Sequence, residues 1–210
     1  MKYDSITNII VLGESYVGKT LFINNYINNK TKIDNTAPTI GVDYYKKTFH
    51  YQDNTYLFKL WDTGNGLLYK NILDFYFKSS SIFIILTTEK NTKFIKSVFD
   101  VIHTDSRIKP EHIFIIYNKK NNYDTFNFNK TEILNFNLKV KNIYFNYLNV
   151  MNNSEVVEFF NQIKFIVFSE FINTNKYTKS LIPLNTTLTE DDKHNLRNGK
   201  NESCYCCTIC

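Results

Sequence analysis

Gly13-Glu14-Ser15-Tyr16-Val17-Gly18-Lys19-Thr20 follows the apolar run Ile9-Ile10-Val11-Leu12 and precedes a helical pattern carried by Leu21, Phe22, Tyr26 and Ile27. The spacing is G-x-x-x-x-G-K-T, and a strand before it with a helix after it is the context in which that spacing carries chemistry. Glycines let successive backbone N–H groups turn toward one centre, and the helix N-terminus adds the positive end of its dipole. A polyphosphate suits such a loop. Lys19 is expected to reach the β- and γ-phosphates, and the Thr20 hydroxyl to ligate Mg²⁺. By itself the loop does not separate GTPases from ATPases or nucleotide kinases, which share it.

Outward from the loop, short apolar runs recur at Ile9–Leu12, Tyr56–Trp61, Ile82–Leu86, Ile113–Tyr117 and Ile143–Phe145, with helical patterns between them. That alternation predicts an α/β fold built from βαβ units around a mostly parallel sheet. Tyr45–Tyr51 and Thr55–Leu60 flank the turn-formers Gln52-Asp53-Asn54. They predict an antiparallel hairpin, so the sheet is mixed. Val156, Phe159, Phe160, Ile163, Val167 and Phe171 recur close to helical spacing and predict a last helix over Val156–Ile172. From Asn173 the pattern dissolves into Asn, Thr, Lys and acidic residues. Residues 1–172 are expected to form one domain and 173–210 a flexible tail. The 210 residues, 43% of them hydrophobic, suffice for one such core and not for two of ordinary size.

The formal net charge of +5 comes from scattered basic residues rather than runs, which argues against a nucleic-acid partner. All four cysteines, Cys204, Cys206, Cys207 and Cys210, lie in the last seven residues, and Met1-Lys2-Tyr3-Asp4 lacks the apolar run of a signal peptide. Both features predict the cytosol. Runs such as Ile82–Leu86 are far shorter than a bilayer span.

Beyond the loop, Ala37-Pro38-Thr39-Ile40-Gly41-Val42-Asp43-Tyr44 resembles switch I of the Rab family of small GTPases, and Lys59-Leu60-Trp61-Asp62-Thr63 resembles that family's approach to switch II. The resemblance covers roughly residues 9 to 172 and returns at the C-terminus. It implies the P-loop small-GTPase fold, with a six-stranded sheet flanked by helices, and GTP or GDP bound with Mg²⁺. In the family, the threonine at the position of Thr39 ligates Mg²⁺ when the γ-phosphate is present, and the aspartate at Asp62 holds the ion through water. Two hydroxyls, from Thr20 and Thr39, and one carboxylate are the hard oxygen donors a triphosphate-bound metal needs. GTP is then expected to order the Thr39 and Gly64 segments, which an effector reads and hydrolysis releases.

The chain departs from that pattern at two places. Where Rab proteins have Asp-Thr-Ala-Gly-Gln-Glu, it reads Asp62-Thr63-Gly64-Asn65-Gly66-Leu67. The water-orienting glutamine is thus Gly66, and no catalytic side chain is expected at that position. After the run ending at Tyr117, the family's Asn-Lys-x-Asp becomes Asn118-Lys119-Lys120-Asn121. The family's carboxylate accepts hydrogen bonds from N1 and N2 of guanine. An amide offers one acceptor oxygen and a donor NH₂ instead, so Asn121 weakens base recognition by an expected 2–4 kcal/mol or so. Leu148-Asn149-Val150 stands where the family has Ser-Ala-Lys, and Lys32-Ile33 where it has a base-covering aromatic. The nucleotide site expected from the resemblance therefore comprises Gly13 to Thr20, Thr39, Asn118, Lys119 and Asn121, with guanine bound less selectively. The alternative is a pseudo-GTPase binding module with impaired hydrolysis. A P-loop kinase or ATPase fits neither the switch I match nor the tail.

Cys204-Tyr205-Cys206-Cys207-Thr208-Ile209-Cys210 resembles the sites at which Rab proteins receive two geranylgeranyl groups, which places the lipids on Cys206 and Cys207. From Asn173 the tail holds five basic and four acidic side chains, too balanced to serve as a second membrane signal, so stable attachment needs two chains. Leu181-Ile182-Pro183-Leu184 resembles the segment by which Rab tails engage the escort protein. The partners implied are a membrane, effectors, exchange factors and escort or dissociation-inhibitor proteins. The place implied is the cytoplasmic face of intracellular membranes, with a soluble cytosolic pool.

Overall fold

The computed structural model describes residues 2–31, 37–64, 70–88, 92–119, 131, 133, 140 and 142–180, the side chains of 70–72 and 175–180 excepted. In chain order the elements are β1 (Ser5–Leu12), α1 (Lys19–Asn28), β2 (Val42–Tyr51), β3 (Asn54–Thr63), α2 (Lys70–Ser79), β4 (Ile82–Thr87), α3 (Lys93–Thr104), β5 (His112–Asn118), β6 (Asn142–Leu148) and α4 (Asn153–Ser180). Among the described residues the strands form one six-stranded sheet in the order β2-β3-β1-β4-β5-β6. Only β2, paired with β3, runs antiparallel. This is the mixed, mostly parallel sheet of a P-loop small GTPase, as the sequence predicts.

The apolar runs are continuous because helices cover both faces of the sheet, so odd and even positions are buried alike. Ile10, Leu12, Phe83, Ile85, Ile113 and Ile115 form one core with Leu73 and Phe77 of α2 and with Phe94, Val98, Phe99 and Ile102 of α3. On the other face Phe22 of α1 meets Phe159 and Phe160 of α4 at ring-centroid distances of 5.6 and 5.1 Å, and Phe114 of β5 meets Phe159 at 5.5 Å. Neighbouring residues of one strand thus feed two separate cores.

Three local readings change. The hairpin strands reach further than Tyr45–Tyr51 and Thr55–Leu60: Tyr51 pairs with Asn54, which leaves Gln52 and Asp53 as the turn. Gln52 adopts the left-handed φ of 51° that lets the chain reverse there. β6 runs to Leu148, so Leu148 closes a strand instead of opening a loop. α4 starts earlier than Val156, where Asn152 accepts the Ser154 N–H at 3.1 Å, and continues past Ile172 to Ser180. No glycine or proline interrupts residues 173–180, so composition alone gave no true stop there.

The chain divides into two compact units, Met1–Ser169 and Glu170–Cys210. The first contains the sheet and every described site residue. The second is described only as the end of α4, where Thr174 bonds back to the Glu170 carbonyl at 3.1 Å. Among the described residues no helix is long and apolar enough to cross a membrane.

Candidate functional site

In an open α/β sheet, ligands gather outside the carboxyl ends of the strands, at the point where successive connections leave toward opposite edges. β1 is that point here, with β3 on one side and β4 on the other. Residues 13–20, Thr63-Gly64, Asn118-Lys119 and Asn149-Val150 all follow carboxyl ends of neighbouring parallel strands. Segments distant in sequence therefore meet.

The loop from Gly13 to Thr20 wraps the Lys19 ammonium, which donates to the carbonyls of Gly13 at 3.0 Å and Glu14 at 2.7 Å. Burial pulls the Lys19 pKa down to about 8, against the opposing pull of the Asp62 and Glu14 carboxylates. Gly18 caps α1 at φ 98°, and a side chain there would crowd Val150 and the Asn118 amide. Val17 is buried, Ser15 half-buried, and Tyr16 stands 81% exposed on a left-handed backbone with φ 62°. A bulky residue in that region costs about 1–2 kcal/mol.

Asp62 is fully buried at the end of β3, beside Val11 of β1. Its Oδ2 accepts from the Thr20 hydroxyl at 2.5 Å, while the Thr20 and Thr39 hydroxyl oxygens lie 3.0 Å apart. With its proton committed to Asp62, Thr20 accepts from Thr39. The Thr39 hydroxyl itself reaches Asp62 only at 3.5 Å. Burial raises the Asp62 pKa to about 6, although the Thr20 hydroxyl and the Lys19 charge hold it down in part. Its other oxygen, Oδ1, is buried without a hydrogen-bond partner among the described residues. An orphaned carboxylate oxygen beside two hydroxyls is a hard-oxygen donor set, and it fits a divalent cation such as Mg²⁺.

The segment carrying Thr39 is held against the end of β3. Gly64 donates its N–H to Gly41 O at 2.8 Å, and a Cβ on Gly64 would overlap the Thr39 carbonyl oxygen. On the sheet edge beside this seam, Tyr44, Trp61 and Tyr76 form a row, with ring centroids 4.6 and 4.8 Å apart. Ile40, Tyr44 and Phe75 add exposed apolar surface around it.

On the opposite side of the loop, Asn118 acts as a clamp. Its amide donates to Val17 O at 3.0 Å and accepts from the Val150 N–H at 3.1 Å. Lys119 bonds through its N–H to Leu148 O at 2.9 Å and through its ammonium to Glu155 at 3.2 Å. Glu155 also accepts the Asn149 N–H at 3.0 Å and the Asn152 amide at 2.9 Å. Asn25, buried on α1, donates to Val150 O at 2.8 Å and accepts from Asn153 at 2.7 Å. Sequence reasoning missed Asn25, Asn153 and Glu155. The one local hint was an amide three residues after Phe22 on the apolar face of a helix.

The structure thus brings together Gly13 to Thr20, Thr39 and Asp62 on one side, and Asn118 and Lys119 on the other. Asn121, Asn65, Gly66, Lys32, Ile33, Cys206 and Cys207 lie outside the described residues.

Comparison with known proteins gives the family. Residues 8–121 match the family described as "Ras of Complex, Roc, domain of DAPkinase". The chain is also 30% identical over 95 residues to the Ras-like GTP-binding protein RYL2 of Yarrowia lipolytica (strain CLIB 122 / E 150), a match covering 45% of this chain. The chain spans only 43% of that relative's length. Small GTPases of this kind generally bind GTP or GDP with Mg²⁺, hydrolyse GTP, and engage effectors and regulators. With the family match extending over more than half of its 210 residues, the chain belongs to the Roc family of Ras-like small GTPase domains.

Proposed function

We propose that the chain is a Rab-like GTP-binding switch in vesicle trafficking, carried on the cytoplasmic face of intracellular membranes by prenyl groups on Cys206 and Cys207, with a soluble cytosolic pool. The observation that carries the switch reading is the meeting of Lys19, Thr20, Thr39 and Asp62 at the carboxyl ends of β1 and β3. Lys19 supplies the counter-charge for a polyphosphate, and the backbone N–H groups of Gly13 to Thr20 line its cradle. Thr20, Thr39 and Asp62 hold the metal, which when bound neutralises charge on the phosphate oxygens. Asn118 and Lys119 shape the base side, with Asn121 reading guanine less strictly than an aspartate does. Gly66 orients no water, so hydrolysis is slow.

The row Tyr44, Trp61 and Tyr76 supports the partner side of this reading. Aromatic surface is enriched at protein interfaces, and this row borders Thr39 and Gly64, so an effector seated on it senses the nucleotide segments. The sequence at Asn65, Gly66 and Asn121 favours a second reading, a pseudo-GTPase module that retains nucleotide without turning it over.

The nucleotide that co-purifies, identified by chromatography after denaturation, tests the first part. Guanine nucleotide is expected in wild type and none in Lys19→Ala, and equal calorimetric affinity of the two proteins would overturn the loop's role. Single-turnover GTP hydrolysis then separates the two readings. For the membrane arm, mass spectrometry of native protein should find two isoprenoid additions. Replacing Cys206 and Cys207 together with Ser should release the protein from membranes.

A further inference from the structure

Tyr16 joins a left-handed backbone to an exposed aromatic ring within the Gly13–Thr20 loop. Its backbone takes the left-handed φ of 62° that glycine adopts freely, and its ring stands 81% exposed. Left-handed geometry serves the loop, because it turns neighbouring N–H groups inward. A tyrosine side chain does not serve it, since a glycine would give the same geometry without strain. Among the described residues the Tyr16 ring packs on no other aromatic.

The placement of the loop limits where this ring projects. Glu14 O on one side is tied to the Lys19 ammonium, and Val17 O on the other is tied to the Asn118 amide. Tyr16 therefore lies between a loop residue tied to Lys19 and one tied to Asn118, and it is exposed where its neighbour Val17 is buried.

We propose that Tyr16 is a lid residue: its ring closes over the sugar-phosphate part of bound nucleotide and slows release. The inference rests on the nucleotide-binding reading above. Burying the exposed ring against the ligand offsets the strain of the left-handed backbone, which gives the side chain a purpose only when the site is filled. The ring acts through surface cover, so phenylalanine should serve nearly as well as tyrosine.

Dissociation of a fluorescent GDP analogue from the Mg²⁺-loaded full chain, chased with excess unlabelled GDP, is the test. Tyr16→Gly and Tyr16→Ala should each release nucleotide at least tenfold faster than wild type, whereas Tyr16→Phe stays within about threefold, where tenfold corresponds to ~1.4 kcal/mol. The Gly variant should also unfold at the same or a higher temperature than wild type when empty, because it relieves strain. Unchanged release from Tyr16→Gly would overturn the lid. So would fast release from Gly alone with slow release from Ala, which would mark loop pliability as the cause, or a Phe variant as fast as Gly. Failure of wild type itself to bind the analogue would instead count against the nucleotide reading.

Discussion

Asp62 is a carboxylate held out of solvent with one oxygen unpaired, and that burial raises its affinity for a proton. Its pKa in the folded protein is raised to about 6 from an ordinary value of 3.8. Between those values the unfolded chain has lost the proton while the folded one keeps it. Stability of the ligand-free protein should therefore fall as pH rises from about 4 to about 6, by something like 2–3 kcal/mol. Urea unfolding in the presence of a chelator measures this, and Asp62→Asn should flatten the slope. A second expectation concerns Asn121, which lies outside the described residues. Asn121→Asp restores two acceptor oxygens and should tighten guanine nucleotide about tenfold, ~1.4 kcal/mol, by calorimetry. No gain would remove Asn121 from the base site. At this scale the strand–loop–helix around Gly13 to Thr20 was legible because its signal is written in consecutive residues. Asn25 was not, because its partner Val150 lies 125 residues away.

Among the elements, the connection from β6 to α4 shows how a loop keeps its place when its sequence departs from a family pattern. Glu155 ties it together by accepting the Asn149 N–H and the Asn152 amide while pairing with Lys119. Glu155→Ala leaves the Asn149 N–H unmet and frees the Lys119 ammonium, for a loss of about 1–2 kcal/mol. The expected result is a five- to thirtyfold weaker nucleotide affinity, with only a small fall in melting temperature (about 1–2 kcal/mol is a factor of that order). A melting temperature that collapses with affinity unchanged would make Glu155 a purely structural cap. Strand positions followed from apolar runs, and their ends were short by up to four residues because pairing recruits polar neighbours such as Ser5, Asn54 and Asp62. The extent of α4 was misread for the opposite reason: polar residues 173–180 resemble a tail in composition, and nothing in them forbids helix.

Across the whole molecule, one sheet separates two cores, and the two faces are not redundant. Phe160 stacks on Tyr26 at 3.7 Å and on Phe22 at 5.1 Å, and so fastens α4 to α1, the helix that opens with Lys19 and Thr20. Phe160→Ala should destabilise the protein by about 3–5 kcal/mol through lost burial and the cavity left behind. Thermal unfolding measures it, and a change under 1 kcal/mol or so would mean that α4 is not part of the cooperative core. The seam between Gly64 and the Thr39 segment has a consequence at the same scale. Gly64 bonds to Gly41 and leaves no room for a side chain beside the Thr39 carbonyl, so Gly64 at the end of β3 and the Thr39–Gly41 stretch before β2 sit in direct contact. A partner that draws Thr39–Gly41 away from the end of β3 must break the Gly64 N–H bond to Gly41 O, so a grip taken on one side of this seam is also felt on the other.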